Sequence, residues 1–74
     1  MCCVDMVKTG KKIEELGKEK GISVQEIADE LCLCSRNAVY KWMKGECLPE
    51  VGNLFSLAQM FEVSVEEIVV VYDV

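Results

Sequence analysis

Apolar residues recur along most of the chain at intervals of three and four residues, the spacing of one face of an α-helix. The clearest stripe is Leu54, Leu57, Ala58 and Phe61, at i, i+3, i+4 and i+7. Shorter stripes of the same kind stand on both sides of it. The pattern predicts a single domain over 1–74 with helices at about 5–20, 24–31, 36–44, 51–61 and 65–69.

Residues that favour helix ends stand where these stripes begin and stop. Two segments, 23–26 and 64–67, have the S-x-x-E pattern of a capping box, in which the serine hydroxyl accepts from an amide of the first turn. Glycine after a helix suits the left-handed residue that closes it. The expected caps are Asp5, Ser23, Ser35 and Ser64 at the N-termini, with Gly21 and Gly45 after the C-termini of the first and third helices.

Two parts of the chain fit the helical pattern less well. Gly10 and Gly17 lie inside the first helix, where each weakens it by roughly 1 kcal/mol relative to alanine. The tail at 70–74 is β-branched and aromatic, which fits a short strand or a frayed end packed on the first helix. Its apolar character also makes it a candidate contact in a homodimer.

Composition limits the class of protein. The 74 residues suffice for one small domain, and 51% of them are apolar, too many for a disordered chain. No apolar run approaches the ~20 residues of a membrane span. Residues 1–5 lack the basic and apolar regions of a signal peptide. We therefore expect a cytoplasmic protein with no membrane partner.

Charge is unevenly distributed along the chain. The formal net charge of −5 argues at first against a nucleic-acid partner. Residues 1–44, however, hold all eight basic residues and seven acidic ones, whereas 45–74 hold six acidic residues and no Lys or Arg. Both an acidic surface without a polynucleotide partner and a DNA-binding first half fit this distribution.

The five cysteines form neither a disulfide framework nor a recognisable metal motif. Their number is odd, two are adjacent, and free thiols are the expectation in a reducing compartment. A zinc site on Cys32, Cys34 and Cys47 is disfavoured because the chain has no His and no Cys-x-x-Cys pair. A redox effect of these thiols on the neighbouring third helix is an alternative to inert side chains. We expect no cofactor.

Catalysis is not indicated. The chain lacks His, a glycine-rich phosphate loop and a nucleophile elbow, so no nucleophile–base pair can be assembled from recognisable motifs. We therefore expect that the protein is not an enzyme.

The third predicted helix carries the chemistry of a DNA-reading surface. Arg can pair with two acceptors of guanine and Asn with the edge of adenine, while Lys suits phosphate. Two short helices joined by a turn, the second with such a polar face, fit the major groove. The candidate residues there are Ser35, Arg36, Asn37, Tyr40, Lys41 and Lys44.

Five segments in this order resemble the phage-repressor and Cro-like helix-turn-helix family, the Xre-type transcriptional regulators. They are GKKIEEL with KEKG (10–21), ISVQEIA (22–28), SRNAVYKW with Gly45 (35–45), Pro49 with LFSLA (49–58) and FEVSVEEI (61–68). The resemblance implies an all-α, compact, five-helix, lambda-repressor-like domain with the helix-turn-helix at helices 2 and 3. It also implies a sequence-specific DNA-binding regulator, a repressor, with double-stranded DNA as partner and a homodimer as the natural form on a symmetric site.

The resemblance also implies residue roles. Bases and nearby phosphates would be contacted by Ser35, Arg36, Asn37 and Lys41, and the DNA backbone by Tyr40 and Lys44. Lys11 and Lys12 are further phosphate contacts in this interpretation. Ala28 would be the small residue where helices 2 and 3 cross, with Val39 and Trp42 anchoring helix 3 to the core.

Some positions depart from the family pattern. Cys32 stands where a glycine with positive φ is usual, and the turn is one residue longer, which could relieve the need for glycine. Val24 replaces a phosphate-binding Gln, for which Gln25 could substitute. Gly17 and Met43 stand where many members have an Arg–Glu pair. These losses and the acidic second half keep open an alternative function, a protein-interaction module with weak or lost DNA binding.

Overall fold

The helices of the computed structural model, which describes residues 2–73, begin and end close to the positions expected from the apolar stripes. Helix α1 spans Met6–Lys20, α2 Val24–Glu30, α3 Asn37–Lys44, α4 Val51–Phe61 and α5 Val65–Ile68. Each end lies within one residue of the expected one. Val74, the last residue of the predicted tail, lies outside the described residues.

Two of the expected N-terminal caps form their hydrogen bonds. The Asp5 carboxylate accepts from the Lys8 amide at 2.9 Å, and the Ser23 hydroxyl accepts from the Glu26 amide at 3.1 Å. Each bond satisfies an amide of a first turn that has no carbonyl partner within its helix. The sequence therefore fixes the starts of α1 and α2 through contacts between residues three positions apart.

Of the other two expected caps, Ser64 does hold the N-cap position of α5, whereas Ser35 does not hold that of α3. Ser64 precedes α5, but its side chain makes no capping bond, because the Glu67 amide donates to the Ser64 carbonyl oxygen instead, at 3.0 Å. Arg36, not Ser35, occupies the capping position of α3, and its backbone is already helical. The Ser35 hydroxyl still accepts from the Asn37 amide at 3.3 Å.

The two ends of the chain form a short antiparallel ribbon that the all-α prediction lacks. Strand β1, Cys2–Val4, pairs with β2, Val71–Asp73, in a register that places Cys3 opposite Tyr72 and Val4 opposite Val71. Of the two alternatives for the tail, the strand is correct. The N-terminal strand had no signal of its own, since three residues are too short to show a period.

A buried threonine attaches this ribbon to the helices. The Val70 amide donates to Thr9 Oγ1 at 3.0 Å, and the Asp5 amide donates to the Val70 carbonyl at 2.7 Å. Thr9 is fully buried. Its hydroxyl therefore supplies the acceptor that the last residue before β2 needs in a place without water.

All five helices contribute buried residues to one core. The anchoring roles expected for Val39 and Trp42 and the burial expected for Ala28 are confirmed, since each is at most 5% exposed. The buried apolar residues are Ile13, Leu16, Ile27, Ala28, Val39, Trp42, Leu57, Ala58, Phe61 and Ile68. Met6, an apolar residue of the first turn of α1, is only half-buried.

The backbones of α1 and α3 touch where they cross. A Cβ added at Gly10 would collide with the carbonyl oxygen of Trp42 and lie 2.7 Å from that of Met43. A Cβ at Gly45 would lie 2.8 Å from the Val7 Cα. Gly10, a weak point of α1 by propensity alone, is thus the residue that lets α3 lie directly against it.

We predict that Gly10→Ala destabilises the domain by about 2 kcal/mol or more, because the new methyl group would force two backbones apart. Thermal or urea unfolding monitored by circular dichroism measures this. The matched control is Gly52→Ala in α4, where an added Cβ meets nothing within 4 Å. Alanine there should stabilise by up to about 1 kcal/mol, and equal effects of the two variants would disprove the close crossing.

Thr9→Val should cost about 1–3 kcal/mol, because it leaves the half-buried Val70 amide without its acceptor. Thr9→Ser keeps the hydroxyl and should cost less. Hydrogen exchange of the Val70 amide separates the two variants, with faster exchange in the valine variant alone. Unchanged exchange in Thr9→Val would show that the bond does not hold the tail.

Candidate nucleic-acid interface

The polar residues expected to read DNA lie on one side of α3. Successive residues of an α-helix are rotated by about 100° around its axis, so the sequence positions give each side chain's direction. Arg36, Asn37, Tyr40, Lys41 and Lys44 fall within an arc of about 140° on that count, and all are exposed. Val39 and Trp42 lie on the opposite side and are buried.

The charged groups of this face have no partners among the residues that the structure describes. Among residues 2–73, Arg36, Lys41 and Lys44 make no side-chain hydrogen bond and no ion pair; the salt bridge of α1 joins Lys18 to Glu14 instead. The Asn37 side chain is likewise without a hydrogen bond. These donors can bind an external acceptor without first breaking an internal contact.

Gln25 lies apart from this cluster, on α2. Its side chain is exposed, and its Nε2 donates to Asp29 Oδ1 at 2.8 Å. The second N–H of this amide is still available, but it lies next to a carboxylate that repels phosphate. Of the seven candidate residues, Gln25 is the one whose donor is already engaged.

The two candidate phosphate contacts on α1, Lys11 and Lys12, differ in solvent exposure. Lys11 is exposed and Lys12 is half-buried. Neither forms an ion pair in the part of the chain that the structure describes. Because α1 crosses α3 at Gly10, both lysines lie within one helical turn of the crossing.

The turn between α2 and α3 closes with a cysteine in the left-handed region. Cys32 has φ of 54°, its amide donates to the Asp29 carbonyl at 3.2 Å, and the Leu33 amide donates to the Ala28 carbonyl at 2.9 Å. This pair of bonds is a Schellman motif, in which glycine is the favoured C′ residue. The longer turn therefore does not relieve the need for positive φ, contrary to one expectation from the sequence.

The positions of the missing Arg–Glu pair lie together in space. Gly17 and Met43 line the same groove of about 350 Å³ between α1, α2 and α3, beside Tyr40. With neither charged partner present, no buried charge is left uncompensated there.

The thiols of the turn are open to solvent. Cys32 and Cys34 are exposed and Cys47 is half-buried, and none forms a disulfide. Within residues 2–73, no group of three or more Cys, Asp or Glu side chains is placed to hold a metal ion. No helix of the described part of the chain is both long and apolar enough to cross a bilayer.

Comparison with known proteins identifies this arrangement of helices. Residues 12–68 match the model of the helix-turn-helix family. The restriction-modification controller protein C.AhdI from Aeromonas hydrophila has a similar structure, with a TM-score of 0.76 and 28% sequence identity over 86% of this chain and 96% of that one. A transcriptional regulator from Listeria innocua gives a TM-score of 0.76 and 31% identity over 89% of this chain.

The present chain spans 62% of the length of the Listeria regulator. No curated protein sequence matches the chain. The match to the family model covers α2, α3 and the turn between them, the elements that carry most of the candidate residues.

We predict that Cys32→Gly stabilises the domain by about 1 kcal/mol, because glycine adopts positive φ without the steric cost that a Cβ brings. Urea unfolding measures the change. Cys34→Gly is the matched control: this residue is outside the left-handed region, so glycine there should destabilise by a few tenths to about 1 kcal/mol. The same sign for both variants would contradict the assignment of strain to Cys32.

Proposed function

The chain belongs to the helix-turn-helix family and is a DNA-binding transcriptional regulator, and we propose that it reads a specific sequence by placing α3 in the major groove. The observation that supports this proposal is the set of unpaired donors on one face of α3. Arg36, Asn37 and Lys41 are exposed there. The same helix is fixed from behind by Val39 and Trp42.

The donors on this face match the groups displayed in a major groove. Arg36 would pair with O6 and N7 of a guanine, and Asn37 with N6 and N7 of an adenine, each giving about 1–3 kcal/mol of discrimination against a wrong base. Lys41 would contact a base or a neighbouring phosphate. The guanidinium stands at the start of α3, where helix-turn-helix proteins place base contacts.

The remaining candidates position the domain on the duplex. Tyr40 and Lys44 would contact phosphates beside the groove, and Lys11 and Lys12 would extend this contact along α1. The Ser35 hydroxyl already accepts a hydrogen bond from the backbone but can still donate one. Gln25 would contribute through the second N–H of its amide, beside the Asp29 carboxylate that accepts the first.

We further propose that two copies bind a two-fold symmetric site and that the outcome is repression. One short α3 reaches few bases, so a second copy on the next half-site is the natural way to gain affinity. A domain seated in the groove at a promoter would exclude other proteins from the same base pairs. The similarity to a controller protein and to a transcriptional regulator supports a role in controlling transcription.

Arg36→Ala and Lys41→Ala should each weaken binding to the preferred DNA about tenfold, from the loss of one base or phosphate contact. Both side chains are exposed, so the melting temperature should stay within a few degrees. The DNA is first obtained by selection from random duplexes, and affinity is then measured by fluorescence anisotropy at several salt concentrations. Binding by the unaltered protein should fall steeply as salt rises.

Arg36→Lys is the matched variant, because it keeps the charge but loses the bidentate fork. It should relax the preference at one base pair while leaving the salt dependence almost unchanged. If neither alanine variant alters affinity, α3 is not the reading helix. If the unaltered protein selects no sequence and is not retained on heparin at low salt, DNA binding by this domain is disproved.

A further inference from the structure

Two thiols lie close together on the turn that leads into α3. Cys32 and Cys34 are both exposed, whereas Leu33 between them packs against the core. Free cysteines are among the residues most often buried in folded domains. Two of them in contact with water, on either side of an anchored residue, are therefore a feature of this turn that packing does not explain.

The chain itself keeps these two cysteines within reach of each other. Residues two positions apart have Cα atoms at most about 7 Å apart, whatever the conformation of the residue between them. Disulfides join Cα atoms that are about 4.4–6.8 Å apart. Cys47, the next cysteine along the chain, is half-buried, and α3, about 12 Å long, lies between it and Cys34.

We infer that Cys32 and Cys34 are a dithiol that a hydroperoxide oxidises to a disulfide, and that this bond displaces the start of α3. The effect on DNA rests on the proposed function, because it requires α3 to be the reading helix. The formation of the disulfide and the movement of α3 do not depend on DNA.

The oxidation needs only the two thiols and the peroxide. The thiolate of one cysteine attacks the peroxide, the O–O bond breaks, and a sulfenic acid forms as hydroxide or alkoxide leaves. The thiol of the other cysteine attacks this sulfur, the S–O bond breaks, and water leaves with the thiol proton. Two thiols thus give up two electrons and two protons to one peroxide, and a thiol reductant supplies them for the reverse change.

Closing the disulfide changes the backbone of the turn. Exposure alternates over residues 32–34 as in an extended segment, in which Cβ atoms two positions apart are separated by about 6–7 Å. A disulfide needs a Cβ separation of about 3.5–4.5 Å. The chain on one side of Leu33 must therefore move by about 2 Å when the bond forms.

The segment after Cys34 is held less firmly than the segment before it. The amides of Cys32 and Leu33 donate to carbonyl groups of α2 at 3.2 and 2.9 Å. On the other side, Arg36 makes no side-chain capping bond at the start of α3, and the Asn37 amide is 3.3 Å from Ser35 Oγ. The disulfide therefore displaces the start of α3.

The displaced residues are those proposed to contact bases. The pairing of Arg36 with guanine and of Asn37 with adenine depends on hydrogen-bond distances and angles, so a shift of the start of α3 weakens both contacts. The reduced protein is the form that binds DNA, and oxidation releases it. Because coupling between two sites is reciprocal, bound DNA in turn favours the reduced dithiol.

Mass spectrometry tests the pairing without DNA. Trypsin cleavage after Lys20 and Arg36 releases fragment 21–36, which contains Cys32 and Cys34 and no other cysteine. The whole protein is treated with hydrogen peroxide, its remaining thiols are alkylated, and it is then digested. Fragment 21–36 should have lost two hydrogen atoms and carry no alkyl group, and prior reduction with dithiothreitol should reverse this. Amide resonances of residues 35–37 in ¹⁵N-labelled protein should move on oxidation and return on reduction.

Oxidation should also weaken binding to the selected DNA about tenfold, the loss expected when a base contact is misaligned. Fluorescence anisotropy at constant salt measures this. Cys34→Ser should bind DNA like the parent and lose the response to peroxide. Cys47→Ser is the matched control, because it removes one thiol from outside the pair and should respond like the parent. A thermal melt of each variant confirms that it is folded.

Several results would overturn the inference. A fragment 21–36 that gains oxygen, or that is joined to another fragment or a second chain, would show that the two thiols do not pair. A complete disulfide that leaves the resonances of residues 35–37 or the DNA affinity unchanged would show that it does not control α3. Release of DNA by Cys34→Ser under peroxide would place the sensitive thiol elsewhere. If the reduced protein selects no DNA, the proposed function fails, while the mass and the resonances still decide whether the pair forms and moves α3.

Discussion

The contact between the backbones of α1 and α3 determines where the proposed reading face points. Gly10 brings the first helix against the carbonyl groups of Trp42 and Met43, and Gly45 brings the end of α3 against Val7. Without side chains between them, the two helices have little freedom to slide or rotate. The side of α3 that carries Arg36 and Lys41 is then held outward by the burial of Val39 and Trp42.

This contact also links the β1–β2 ribbon to the proposed reading face of α3. Thr9 accepts the Val70 amide one residue before Gly10, so the ribbon of β1 and β2 is attached to the part of α1 that touches α3. Three-residue strands are marginal by themselves. The buried hydroxyl bond gives the tail a fixed place on α1.

Charge is unevenly divided between the two halves of the domain. All Lys and Arg lie within residues 8–44, and they include the basic side chains that face outward from α3. The last thirty residues carry six acidic side chains and no basic one. The net charge of −5, which argues against a nucleic-acid partner, is therefore an average over two unlike surfaces. One of them has the side chains that suit phosphate and base edges, and the other has no basic side chain.

The features that the sequence predicted correctly arise from contacts between residues close together along the chain. Asp5 with Lys8 and Ser23 with Glu26 are three residues apart, so the helix starts could be read directly. The residues of the α3 face were likewise predictable, since one helical period orders them.

Contacts between distant residues left no such signal. The pairing of Val4 with Val71 and the approach of Gly10 to Trp42 depend on how helices pack. Cys32 misled because the longer turn suggested a relaxed backbone, whereas the closing bonds of α2 still demand positive φ.

Methylation interference on the selected DNA tests the central claim most directly. Dimethyl sulfate methylates guanine at N7 in the major groove and adenine at N3 in the minor groove. If α3 reads base edges through Arg36, methylation of guanine N7 within each half-site should block binding, and methylation of adenine N3 should not. Interference confined to adenine N3, or absent from every base, would contradict the account.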